Sequence, residues 1–223
     1  MPRMALLDWD EVSWAAFVGG LEGYRDHFTR EDSERRYADL IAAITTEEPT
    51  RLPERAAEIV LLLNKWACRL STAHAPGALE GWIRDHLAAL ADVESLTISD
   101  TRVPERAAEL GNLHDDLIAE MRASGVNNMA DAAASKALHL LRPRLFVMWD
   151  KEIRRSSPEG YGAYLLQMNR LARRLAEQAP TEDVEAYLQE RLGYETRKTL
   201  SKYLDEYNWF QAVGRDELAG RSR

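Results

Sequence analysis

An all-α fold is what this chain predicts, on three observations. Apolar residues recur at three- and four-residue steps in every long patterned segment, and no run alternates convincingly with period two. The proline-bearing breaks fall between those segments, where helices start and stop. Taken in order, the N-terminal "MPRMALLDWDEVSW" meets Asp8 and Asp10 before any secretory core could form. The helical pattern is clear in "EIVLLLNKWACRL" (58–70), "GWIRDHLAALADV" (81–93) and "NLHDDLIAEM" (112–121). It returns over about 129–141, then in "AYLLQMNRLARRLAE" (163–177), "VEAYLQERLGY" (184–194) and the closing "KTLSKYLDEYNWFQAV" (198–213). Pro53, Pro76, Pro104, Pro158 and Pro180 stand where a first helical turn accepts proline. "LFVMW" (145–149) is the nearest thing to a strand, but it is too short and isolated to build a sheet.

Length and composition fit this reading. The 223 residues, 45% of them hydrophobic, can bury a sizeable core. We expect one helical domain over 1–223, in which two lobes, about 1–122 and 123–223, would flank a cleft near 125–155. No window approaches the roughly 18 apolar residues of a membrane span, so a cytoplasmic protein with no membrane partner is expected. Cys68 is the only cysteine, which excludes an intrachain disulfide and a thiolate-rich metal site. One echo, "TRLPERAAEI" (50–59) against "TRVPERAAEL" (101–110), matches at eight of ten positions. It does not spread into the following residues, so it reads as two similar helix starts rather than a repeat.

The net charge of −8 argues against a protein coated with phosphate-binding surface. Its distribution is uneven, because between Arg142 and Arg174 eight bases face three acids. A local basic patch on an acidic body suits focused contact with an anion, and Arg142, Arg144, Arg154 and Arg155 are the expected phosphate-binding residues. A solvated, arginine-rich helix face would account for the same residues.

The chemistry concentrates in "ASKALHLLRPRLFVMWDKEIRR" (134–155). Helical spacing puts Ala132, Ser135, Lys136 and His139 on one side of a helix over about 129–141. Pro143 ends that helix, and the apolar connector then delivers Asp150 to the start of the next one, where it would serve as N-cap. This turn of the chain can bring the Asp150 carboxylate back to Lys136. A lysine among alanines beside a carboxylate is a usable nucleophile if its ammonium is desolvated, whereas a lysine that reaches solvent is not. Asn64, Trp66 and Arg69 in "LNKWACRL", together with His139, Trp149, Asn208 and Trp209, are the expected pocket residues. They combine indoles that can stack on a base with polar groups that are costly to bury alone.

The order "ASK-A-x-x-L … P … W-D-x-x-I" resembles the helix-hairpin-helix DNA glycosylase superfamily. The resemblance implies an all-helical fold in which Lys136 is a Schiff-base nucleophile and Asp150 the assisting aspartate. Base-excision or lyase chemistry on DNA, or on another nucleobase-containing ligand, would follow from it. It covers about 125–155, and the helical remainder only in kind. The chain departs from the pattern in its one glycine before the lysine, Gly125, eleven residues upstream, and in a shorter lysine-to-aspartate spacing of 14 residues. Without a cysteine quartet it cannot hold the iron–sulfur cluster of one branch, and no cofactor is expected.

Two other classes stay open. A non-catalytic helical protein would bind a ligand or partner through the same cleft. His114-Asp115 in "NLHDDL" is similar to the core of HD-type metal phosphohydrolases, which would need His74, His86 or Asp150 around the same ion.

Overall fold

Eleven α-helices and no strand make up the described residues, 7–28 and 31–214, of the computed structural model. Two of them precede everything the apolar pattern picked out. In α1 (Trp14–Phe28) the residues Phe17, Val18 and Leu21 are buried, and in α2 (Glu31–Thr46) Tyr37, Leu40 and Ile44 are. A 3-10 turn, Pro49–Arg55, leads into α3 (Ala56–Lys65), so Pro53 sits inside that turn rather than opening the α-helix. The segment 81–93 is divided into α4 (Ala75–Asp85) and α5 (Leu87–Asp92) at His86, whose ring nitrogen Nδ1 and backbone N–H both reach the Trp82 carbonyl. Pro76 and Pro104 do occupy first turns, the latter of α6 (Val103–Ala123). Pro158 and Pro180 lie instead in the loops on either side of α9 (Tyr161–Gln178).

The two similar helix starts share one ion-pair device. Arg55 pairs with Glu58 and with Glu47 upstream, and Arg106 pairs with Glu109 and with Asp92 upstream. The second copy begins a long α-helix, whereas the first is drawn into the 3-10 turn by two prolines, Pro49 and Pro53.

Helices α6 and α9 pack closely because Gly111 and Gly162 meet at their crossing. A Cβ on Gly162 would lie 2.5 Å from the Ala107 carbonyl oxygen. Then come α7 (Asp131–Leu141), the short α8 (Lys151–Arg154), α10 (Val184–Leu192) and α11 (Leu200–Trp209), which runs on into a π-turn, Phe210–Gly214. The buried apolar side chains form one cluster that draws on residues on both sides of position 122. Every residue of α11 from Leu200 to Asn208 is buried, including Lys202, Asp205 and Glu206. An enclosed helix is ordinarily apolar all round. This one carries charge inward, and that positions the site. Among the described residues no helix is long and apolar enough to cross a membrane.

Candidate functional site

The site is assembled by the chain's turn after α7. The helix stops at Leu141, two residues before Pro143; after a turn that includes the exposed Arg144, residues 145–149 return as a buried connector that is neither helix nor strand. Buried backbone outside a helix or sheet needs other partners, and here side chains supply them. Thr199 Oγ1 donates to the Pro143 carbonyl at 2.7 Å and Ser201 Oγ to that of Arg144 at 2.9 Å. Tyr161 and Tyr164 hydroxyls donate to the Val147 and Met148 carbonyls at 2.8 and 3.0 Å. His139 Nδ1 lies 2.7 Å from the Phe146 carbonyl, which fixes the N–H there and leaves Nε2 to accept from the Tyr37 hydroxyl at 2.9 Å. Finally the Trp149 N–H donates to Ser135 Oγ at 2.9 Å. That bond ties the end of the connector to the residue just before Lys136.

As a result Lys136 Nζ and Asp150 Oδ1 are 2.8 Å apart, with side chains 12% and 21% exposed. Asp150 stands at the N-cap position of α8 but makes no capping hydrogen bond. The expected cap is therefore replaced by the ion pair. Burial works against the charge of Lys136, but Asp150 outweighs it and holds the ammonium above the usual lysine range.

Both groups line a cleft of about 290 Å³. Its aromatic walls are Tyr24, Phe28, Trp66 and Trp209, with the Phe28 and Trp209 ring centroids 4.7 Å apart and nearly edge to face. A second charged group lies in the same cleft. Lys202 Nζ is 2.9 Å from Asp205 Oδ2 and 3.6 Å from Glu206 Oε1. Behind it Lys198 joins Glu206 at 2.6 Å and Glu34 at 2.5 Å. Burial opposes the Lys202 charge too, yet Asp205 and Glu206 keep its pKa well above the ordinary value. Burial pushes Asp205 up despite Lys202.

Of the expected pocket residues, Trp66 and Trp209 line this cleft. The others do structural work elsewhere. The Asn64 amide closes the loop after α3 by bonding both the N–H and the carbonyl of Leu70. Arg69 is exposed in a left-handed conformation, φ 55, and its carbonyl accepts from Asn128. His139 is buried beneath Tyr37. Asn208 bonds Trp9 Nε1 and the Tyr164 hydroxyl. Trp149 packs on Tyr161 and Tyr164 and borders a separate hollow.

The expected phosphate-binding arginines do not converge on the cleft. Arg142 is buried, with Nε and a terminal nitrogen donating to the Leu90 and Leu141 carbonyls at 2.8 Å, so it is a structural residue. Arg144 borders a hollow with Ser99 and Arg197. Arg154, paired with Asp131, borders with Arg155 the hollow beside Trp149. The alternative metal pair is not assembled either. His114 is buried and stacked on Tyr161, its ring nitrogens facing the Asp115 carboxylate at 2.9 Å and the Asp131 carbonyl at 3.1 Å. Among the described residues the one group of three ligand-type side chains close enough to share an ion is His86, Asp116 and Glu120, which excludes both members of that pair. Burial pushes the Cys68 thiol up, as suits an inert small side chain.

Sequence reasoning passed over Tyr24, Glu34, Lys198, Lys202, Asp205 and Glu206. Periodicity carried no signal in 198–207, because Leu200, Tyr203, Leu204 and Tyr207 share one face at i, i+3, i+4 and i+7 and leave Lys202, Asp205 and Glu206 on what reads as a solvated side. No family model, curated protein or solved structure matches this chain.

Proposed function

We propose that the cleft receives a nucleobase-containing ligand and that Lys136, assisted by Asp150, carries out base-excision or lyase chemistry on it. The observation that supports this is the Lys136–Asp150 contact at 2.8 Å in the wall of a cleft with four aromatic rings. Aromatic faces stack on any base and admit it once it is out of the duplex. In the proposed step the Lys136 ammonium passes a proton to Asp150, and the freed amine attacks the sugar C1′. The C1′–N bond breaks with its electron pair leaving on the base nitrogen, which Asp150 reprotonates. Transfer of a proton from the lysine nitrogen to the ring oxygen opens the sugar and leaves a protonated Schiff base. A cytoplasmic location belongs to this proposal and draws on the single cysteine, Cys68.

The test is reduction with borohydride in the presence of an oligonucleotide bearing an abasic site or a damaged base. A covalent adduct with the wild-type chain and none with Lys136→Ala supports the reading. An equal adduct with the variant removes it. A second reading, reversible binding without covalent chemistry, is favoured by the ion pair that keeps Lys136 charged and by arginines that stand away from the cleft. Ligand binding that survives borohydride without adduct would select it.

A further inference from the structure

We infer that Lys202 and Asp205 are the pair that reads the ligand, taking a lactam edge, a ring carbonyl beside a ring N–H. This rests on the cleft's being a nucleobase site and goes beyond it by naming the edge that is recognised. Both side chains line the cleft although they are only 7% and 9% exposed. Asp205 Oδ2 takes the Lys202 ammonium at 2.9 Å, and among the described residues no hydrogen bond reaches Oδ1. Lys202 has three N–H groups; one is spent on Asp205, while Glu206 Oε1 at 3.6 Å and the Tyr37 and Trp66 rings at 5.7 Å attract the ammonium without taking a hydrogen bond. The pair therefore keeps an acceptor next to donors that have no hydrogen-bond partner among the described residues, in side chains that line the cleft and are almost wholly buried.

The chemistry of the two groups selects the partner. An ammonium only donates and a carboxylate only accepts, so the complementary edge has an acceptor beside a donor. A carbonyl oxygen is the stronger acceptor for a cation, and an imide-type ring N–H, being more acidic than an exocyclic amine, is the stronger donor to a carboxylate. Uracil-type and hypoxanthine- or guanine-type rings carry that edge. The Trp66 ring centroid is 5.7 Å from Lys202 Nζ, and Trp209 lines the same cleft, so aromatic faces stand beside the reading pair. Lys136 and Asp150 are separate groups in the same cleft, which leaves recognition and chemistry to different pairs.

The test is titration calorimetry of the full chain with uridine and inosine, against N3-methyluridine, N1-methylinosine and adenosine. 5-Methyluridine adds the same bulk but keeps the edge. Uridine or inosine binding about tenfold tighter than its N-methyl form and than adenosine, with 5-methyluridine resembling uridine, is the expected result. Which of the two parents binds tells a pyrimidine ligand from a purine one. Asp205→Ala, which removes the acceptor, should erase the N-methyl penalty; should that variant not fold, the wild-type series still decides. Equal binding of the N-methyl forms, or preference for adenosine, overturns the inference. If the borohydride adduct forms all the same, the nucleobase reading stands without it. Absence of both nucleoside binding and adduct removes both.

Discussion

Lys136 can hold its charge in a cleft because Asp150 lies 2.8 Å away. Lys136→Ala is expected to end borohydride trapping and to cost about 1–3 kcal/mol, since it strands a carboxylate that is only partly solvated. Thermal unfolding and the trapping assay, run on the same preparation, separate the two effects. Asp150→Asn should lower trapping without the penalty of a lost cap, because no capping bond exists to lose. His139 gives a pH prediction. Burial holds its pKa down to about 3, whereas the unfolded chain takes up the proton near the ordinary value of about 6.5. The stability it contributes is complete above about pH 6.5 and drains away as pH falls toward about 3, at up to roughly 1.4 kcal/mol per pH unit. Melting temperatures of wild type and His139→Gln should therefore converge between pH 7.5 and pH 4; a constant gap would contradict a neutral buried histidine.

The helices show where local chemistry was readable and where it was not. Thr199 caps α11 by accepting from the Lys202 N–H at 3.3 Å, and it also donates to the Pro143 carbonyl in the turn before the connector. Thr199→Ala is expected to cost about 1–2 kcal/mol in urea unfolding, more than a simple cap, since it frees that carbonyl as well. At the α6–α9 crossing, Gly162→Ala would press a methyl group into backbone, the Ala107 carbonyl, which cannot swing aside. A loss of about 1–3 kcal/mol is expected, and a neutral result would mean that the two helices can separate at little cost. Neither effect is visible in the helical periodicity. A glycine within a helical run reads only as a weak helix former until its neighbour in space is known.

Across the whole molecule, one buried cluster joins the early helices to the late ones. Unfolding in urea followed by circular dichroism and by tryptophan fluorescence should give coincident transitions; separated midpoints would show that the two halves unfold independently. Of the four arginines expected to bind phosphate, Arg142 is buried, Arg144 borders one hollow, and Arg154 and Arg155 border another. Arg144→Glu is accordingly expected to leave the yield of trapped adduct unchanged, whereas a single continuous phosphate track would make that reversal costly.

The sequence by itself determined the helical class, because burial at steps of three and four residues is a property of neighbours along the chain. It also determined that Lys136 and Asp150 could meet, since Pro143 stops α7 and only a short connector separates them. The tertiary structure alone decided which polar residues serve the fold and which face the cleft. Arg142, His139 and Asn208 look as chemically able as Lys202 and Asp205 when read in order. The first three are consumed by backbone carbonyls or by side chains from distant helices, whereas Lys202 and Asp205, paired with each other, line the cleft. That difference depends on partners from elsewhere in the chain, Leu90 for Arg142, Tyr37 for His139 and Trp9 for Asn208, and periodicity within one helix carries no record of them.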